Sequence, residues 1–151
     1  MKYILTLLLF GFIFSCNSQK QVVQNQLEME TTNFDAKLKG KWVLDYMSPV
    51  NGKNFEELFK IQMPYLNFTD GQKVSGNNGC NNIAGNYNTD GKTIQFETDK
   101  FMKTRMYCEG FDESTFTGVL KTVNNYEIIE EGQKLVLLTS DIFSMTFVRE
   151  E

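Results

Sequence analysis

Residues 74–87 read VSGNNGCNNIAGNY, five asparagines and three glycines set around Cys80. A second run, Met102-Lys103-Thr104-Arg105-Met106-Tyr107-Cys108, brings together two thioethers, a thiol and one of only two arginines. These residue types admit three chemistries. Cys80 and Cys108 can oxidise to a disulfide, or with Met102 and Met106 they can offer soft sulfur ligands to Cu(I). Arg105 can bind an anion or use its fork of donors on loop carbonyls. On a strand, Met102, Thr104, Met106 and Cys108 would share one face, which is the geometry a copper site needs. The asparagine loop lacks the Gly-Lys-Ser/Thr ending of a phosphate loop and has no row of carboxylates for calcium. The chain contains no histidine, so the usual general base, the commonest zinc ligand and the Ser-His and Cys-His nucleophile pairs are missing. No catalytic residue, metal or cofactor is therefore assigned.

The N-terminus indicates where these residues work. Lys2 precedes an apolar or small run from Ile4 to Phe14, the pattern of an export signal and too short for the roughly 20 residues of a membrane-spanning helix. The run ends Ile13-Phe14-Ser15-Cys16, which resembles a bacterial lipobox and makes Cys16 the expected lipidated N-terminus after removal of residues 1–15. Several acyl chains on one cysteine anchor stably. The expected location is the bacterial cell envelope, at the outer membrane. Residues 16–36 carry the lipidated cysteine and a tether rich in Asn, Gln and Thr, and the globular domain is expected at 37–151. With Cys16 committed, Cys80 and Cys108 are an even pair in an oxidising compartment, where a disulfide is the default. Loss of Lys2 leaves a net charge of −5, and without a basic cluster that argues against nucleic acid as a partner.

The elements that must position these residues are mostly strands. Trp42, Leu44 and Tyr46 alternate with Val43 and Asp45, and Phe143, Met145 and Phe147 alternate with Ser144 and Thr146. Asp70-Gly71 and Thr89-Asp90-Gly91 mark hairpin turns, and Tyr126–Glu130 and Lys134–Thr139 continue the antiparallel pattern. Phe55, Leu58 and Phe59 stand at helical spacing between breakers and fit either a helical turn or a loop. Asp112–Asn124 is the exception: Phe116, Val119, Leu120 and Val123 form an amphipathic stripe, Asp112 is placed to cap it, and Phe111 with Phe116 to staple it. The pattern predicts a mainly β fold. About eight strands form a small antiparallel, partly closed barrel, with one helix near 112–124 packed on an edge or plugging one end.

Several of these segments recur in order in one family. Gly40-Lys41-Trp42-Val43-Leu44, Pro64–Phe68, Val74-x-Gly76-x-x-Gly79-Cys80-Asn81, Gly85-x-Tyr87, Thr104-Arg105-Met106-Tyr107-Cys108 and Glu113-x-x-Phe116-x-x-x-Leu120 together resemble the META, or HslJ-like, domain family. The resemblance covers about residues 38–149. Ile83, Tyr107 and Glu109 depart from its usual pattern. It implies a barrel-like β fold with one helix, an envelope location and an association with stress or drug tolerance, and it carries no catalytic residues. The matching loop positions are Gly76, Gly79, Cys80, Asn81, Gly85, Thr104, Arg105, Met106 and Cys108. The expected function is a non-enzymatic, lipid-anchored binding module for another envelope component. The alternatives are a carrier of a small hydrophobic ligand inside the barrel and a copper-binding envelope protein.

Overall fold

A computed structural model describes residues 36–150, so the export signal, Cys16 and most of the tether lie outside the described residues. Period-two sequence becomes strand almost throughout. The strands are β1 (Gly40–Met47), β2 (Tyr65–Thr69), β3 (Lys73–Asn77), β4 (Asn82–Asp90), β5 (Thr93–Phe96), β6 (Met102–Lys103), β7 (Asn125–Ile129), β8 (Lys134–Thr139) and β9 (Ile142–Glu150). Phe55–Leu58 is the short helix α1 and Ser114–Thr122 the longer α2. All strand pairs are antiparallel, and pairing runs β3-β2-β1-β9-β8-β7-β5-β4 before β3 and β4 pair with each other. Eight strands thus close a barrel, and β6 lies outside the ring against the first half of β4. Closure removes the open edges that a flat sheet would expose.

The ring is narrowest between β5 and β7. Thr93↔Asn125 is the pair there, flanked by Ile94 N–H to Asn124 O (3.1 Å) and Tyr126 N–H to Lys92 O (2.9 Å). Helix α2 packs beside β5 and the 3-10 turn Thr98–Lys100, where Lys121 Nζ reaches both carboxylate oxygens of Asp99 at 2.8 Å. It buries Phe116 and Leu120 in the core that the strands enclose. The expected stripe thus places the helix correctly, within a span two residues shorter at each end.

An eight-stranded barrel is about wide enough for its own side chains. Here Leu66, Phe68, Ile94, Leu135, Leu137 and Phe147 are among the fully or almost fully buried residues that fill it. Rings meet edge-on in this core, Phe68 against Tyr87 at 5.0 Å and Phe116 against Phe147 at 6.4 Å.

Two β-bulges alter the alternation expected from sequence. Leu44 pairs with Phe147, but Tyr46 pairs with Thr146, so Asp45 is an extra residue on β1. Beyond it the faces exchange: Tyr46 is 42% exposed and Met47 takes the buried place. On β9, Leu137↔Met145 is followed by Leu138↔Phe143, which leaves Ser144 as the extra residue. Phe143 is consequently 59% exposed rather than sharing the inner face with Met145 and Phe147, and Ser144 is buried, donating to Thr139 Oγ1 at 2.8 Å. One inserted residue reverses every side chain beyond it because the strand period is two.

Trp42 and Arg149 latch the start of β1. The Trp42 indole, fully buried, donates to Leu38 O at 2.7 Å. The Arg149 guanidinium lies 4.1 Å from the centroid of that ring and donates to Gly132 O (2.9 Å), Lys39 O (2.7 Å) and Lys37 O (2.6 Å). At the helix, Asp112 Oδ1 accepts from Ser114 Oγ (2.6 Å) and Ser114 N–H (2.9 Å), as expected of a capping residue. These two hydrogen bonds, the hydroxyl first, hold the Asp112 carboxyl below its ordinary pKa.

Arg149→Ala is expected to destabilise the fold by about 2–3 kcal/mol in urea unfolding, since three carbonyls lose a charged donor and Trp42 loses its cation. Arg149→Lys should recover less than half, because an ammonium cannot serve three separated carbonyls in one plane. Asp112→Ala should cost about 1 kcal/mol at neutral pH. A carboxyl whose folded pKa lies below its unfolded one stabilises at pH above the unfolded value, and that part is lost as pH falls through the folded value. Urea titrations at successively lower pH should therefore show the wild-type and Asp112→Ala curves converging.

Candidate functional site

The asparagine run forms the turn between β3 and β4, and its side chains shape that turn before they meet anything else. Asn77 Oδ1 accepts from Gly79 N–H at 2.7 Å, and Asn78 Oδ1 accepts from Cys80 N–H (3.1 Å) and Asn81 N–H (2.7 Å). Asn78 N–H returns to Asn81 O at 3.0 Å, and Asn77 Nδ2 donates to Asn82 Oδ1 at 3.1 Å. Asparagine suits this work because its amide lies within reach of backbone groups two and three residues on. Asn77, Asn78 and Asn81 are all buried, which is tolerable only because their polar atoms are bonded.

The three motif glycines serve two different needs. Gly79 sits at φ +107° with Phe59 and Phe111 close by, so it needs both the conformation and the space. Gly76 and Gly85 need space alone. A Cβ at Gly76 would stand 2.0 Å from Tyr65 O across the strand pair, and one at Gly85 would stand 2.1 Å from the Phe101 ring.

Asn81 links this turn to the second motif. It is fully buried, and its amide uses every position it has. Oδ1 accepts from Met106 N–H (2.7 Å) and Thr104 Oγ1 (2.9 Å), while Nδ2 donates to Glu113 Oε1 (3.0 Å) and Met106 O (3.2 Å). Thr104 also accepts from Asn82 N–H at 3.1 Å and donates its own N–H to Asn82 O at 3.1 Å. Glu113 Oε2 takes Lys103 Nζ at 2.8 Å, which ties the entrance of α2 into the same network. A disulfide joins Cys80 to Cys108, with 6.2 Å between their Cα atoms.

The structure therefore gathers Gly76, Gly79, Cys80, Asn81, Thr104, Met106 and Cys108 at one corner, with Gly85 further along β4. It decides two alternatives that the sequence leaves open. Strand β6 stops at Lys103, because the next residues turn to meet Asn81, and so residues 102–108 do not present the single sulfur-lined face that a copper site would need. Arg105 does not serve loop carbonyls: it is exposed and enters none of the described ion pairs or hydrogen bonds, and Arg149 makes the carbonyl contacts instead. Among the described residues, no cluster of three or more His, Cys, Asp or Glu side chains is placed to hold a metal ion.

Two participants were not visible as site residues in the sequence. Glu113 stood out only as the first residue of the Glu113-x-x-Phe116-x-x-x-Leu120 segment, and Asn78 only as one asparagine among five. No local spacing could have identified them, because Glu113 meets Lys103 and Asn81 at 10 and 32 positions away, and Asn78 meets backbone groups of Cys80, Asn81 and Glu113.

What the corner can do is hold a segment in one shape. Met102, Lys103, Thr104, Arg105, Met106 and Tyr107 are all exposed, with Tyr107 at 90%, while the backbone beneath them is pinned. The surface clefts among the described residues include two that none of these six side chains lines. One of about 220 Å³ sits by Lys39, Asp70, Gly71 and Gln72, and one of about 120 Å³ by Lys53, Glu57, Phe59 and Phe111. Both are smaller than the roughly 300–1,000 Å³ usual for small-molecule sites.

Comparison with known proteins agrees with this architecture. The family model for the META domain matches residues 36–151. A solution structure of a protein from Burkholderia xenovorans is similar at 23% identity and a TM-score of 0.56, covering 78% of this chain and 87% of its own. A crystal structure of a DUF4847 family protein from Bacteroides vulgatus is similar at 16% identity and a TM-score of 0.51, covering 76% and 96% respectively. At these identities the structures show the fold alone. No curated protein matches.

Asn81→Ala is expected to cost about 3 kcal/mol, because it removes all four hydrogen bonds of a fully buried amide and leaves a void in its place. Replacing Cys80 and Cys108 together by serine should cost about 3.5 kcal/mol, the chain-entropy value for a crosslink across 28 positions. Urea unfolding followed by far-ultraviolet circular dichroism measures both.

Proposed function

The chain belongs to the META domain family, and from that premise we propose that it is a lipid-anchored cell-envelope protein whose domain works by binding another envelope component and not by catalysis. The observation that carries this reading is the bonding of the motif residues. Asn81 has no free hydrogen-bonding position, Cys80 and Cys108 are joined to each other, and the segment they secure turns its side chains outward. Rigid display of a short segment is what recognition benefits from, since ordering it beforehand lowers the cost of binding.

The envelope placement rests on the apolar run that ends at Cys16, and a role in stress or drug tolerance rests on the resemblance to the family. The hydrophobic-carrier alternative has less support, because the barrel's inward positions are occupied by its own packed side chains.

Radiolabelled palmitate should be incorporated into the full-length protein, and Cys16→Ala should abolish labelling and release the protein from the outer-membrane fraction. Cells lacking the protein should lose tolerance to envelope-damaging drugs, and the wild-type chain should restore it where Cys16→Ala does not. Labelling that persists in Cys16→Ala would refute the anchor. Hydrolysis of ester, peptide or glycoside substrates that is lost on substituting a motif residue would refute the non-catalytic assignment.

A further inference from the structure

Resting on the binding role just described, we propose that residues Met102–Tyr107 are the docking surface, and that the partner is a protein segment carrying a carboxylate beside an apolar side chain. Arg105 takes the carboxylate, and Met106 with Tyr107 takes the apolar side chain.

The side chains themselves are the first ground. Met102, Met106 and Tyr107 are 73%, 57% and 90% exposed within six consecutive positions, and Arg105 stands among them. Methionine, tyrosine and arginine are the residue types enriched where proteins meet, because they combine contact area with adaptable or directional polar groups.

Charge is the second. Lys103 is neutralised by Glu113, whereas Arg105 enters none of the described ion pairs, in a chain whose acids outnumber its bases. A planar guanidinium held on a fixed backbone is suited to bidentate pairing with a carboxylate.

The third ground is position, which selects a protein over the protein's own bilayer. In the β1–β4 part of the barrel, Gly40 pairs with Phe68, and the hairpin that joins Thr69 to Lys73 lies at that same end, where Lys39 also forms an ion pair with Asp70. The opposite end holds the pairs Val43↔Tyr65, Tyr65↔Asn77 and Asn77↔Asn82, followed by the turn that Asn81 ties to Thr104 and Met106. The residues preceding Ala36 join the barrel at one end and the docking segment sits at the other. In an anchored molecule the segment therefore lies at the end of the barrel remote from the point where the chain enters, which leaves it clear for a partner.

The test uses the full-length protein in detergent micelles against a displayed library of random heptapeptides. Enriched peptides should carry Asp or Glu next to Leu, Phe or Ile. Their affinity should fall about tenfold or more with Arg105→Glu and severalfold with Met106→Ser or Tyr107→Ala, the usual scale for a central interface residue. Melting temperatures should remain unchanged, because none of these side chains is buried. Failure to enrich any peptide, enrichment indifferent to all three substitutions, or a basic consensus would overturn the proposal. So would adsorption of the Cys16→Ala chain to phosphatidylglycerol vesicles that depends on Arg105, which would make the segment a lipid contact. Palmitate labelling is read separately, so loss of the docking assignment and loss of the anchor are distinguishable.

Discussion

A single buried amide organises the corner of this protein where the two motif segments meet. Asn81 has two donors and two acceptor positions, and all four are bonded to three residues distant in sequence: the hydroxyl of Thr104, both backbone groups of Met106, and the carboxylate of Glu113. No water-exposed amide could impose this order, because solvent would compete for every bond. Buried, the same bonds are obligatory, since an unmade one leaves a desolvated polar group. The β3–β4 turn, the short strand β6 and the entrance of α2 therefore take one arrangement together, and the Cys80–Cys108 disulfide reinforces it covalently.

The barrel depends on a second constraint, closure. Seven of the eight strand interfaces are ladders of four or more residue pairs, while the β5–β7 contact is short and has α2 packed beside it. A helix with a buried stripe of Phe116 and Leu120 covers what the hydrogen-bond ladder leaves thin. The bulges at Asp45 and Ser144 belong to the same geometry. An extra residue bends a strand, which a small closed barrel requires, and the consequence is that Tyr46 and Phe143 point to solvent while Met47 and Ser144 point inward.

Placed together, these constraints define what the motif residues do in the fold: they bond to one another and hold a loop. The outward residues Met102, Arg105, Met106 and Tyr107 gain a fixed spacing from Asn81 and from the disulfide, at the end of the barrel away from the lead-in that Arg149 and Trp42 secure. The bonded corner thus lies beneath a surface on which Met102, Met106 and Tyr107 are exposed.

Much of the fold was legible locally. The alternation along Trp42–Leu44 and Met145–Phe147, the turn residues Asp70-Gly71 and Asp90-Gly91, and the stripe Phe116–Val123 each report burial on one face, and burial is what drives strand and helix formation. The pairing of Cys80 with Cys108 followed from counting, and the META resemblance followed from motifs in order. What the sequence could not contain was every relation set by distant neighbours. The bulges arise from fitting one strand to two others, so Tyr46 and Phe143 were assigned to the wrong face. Arg105 and Arg149 are chemically identical, and only the fold decides that Arg149 meets the carbonyls of Lys37, Lys39 and Gly132 while Arg105 remains outside. Asn81 and its four neighbouring asparagines are equally identical in type. The one that became the hub did so because closure of the barrel carried Thr104, Met106 and Glu113 to its amide, and a periodicity of two or of 3.6 residues encodes no contact across 25 or 32 positions.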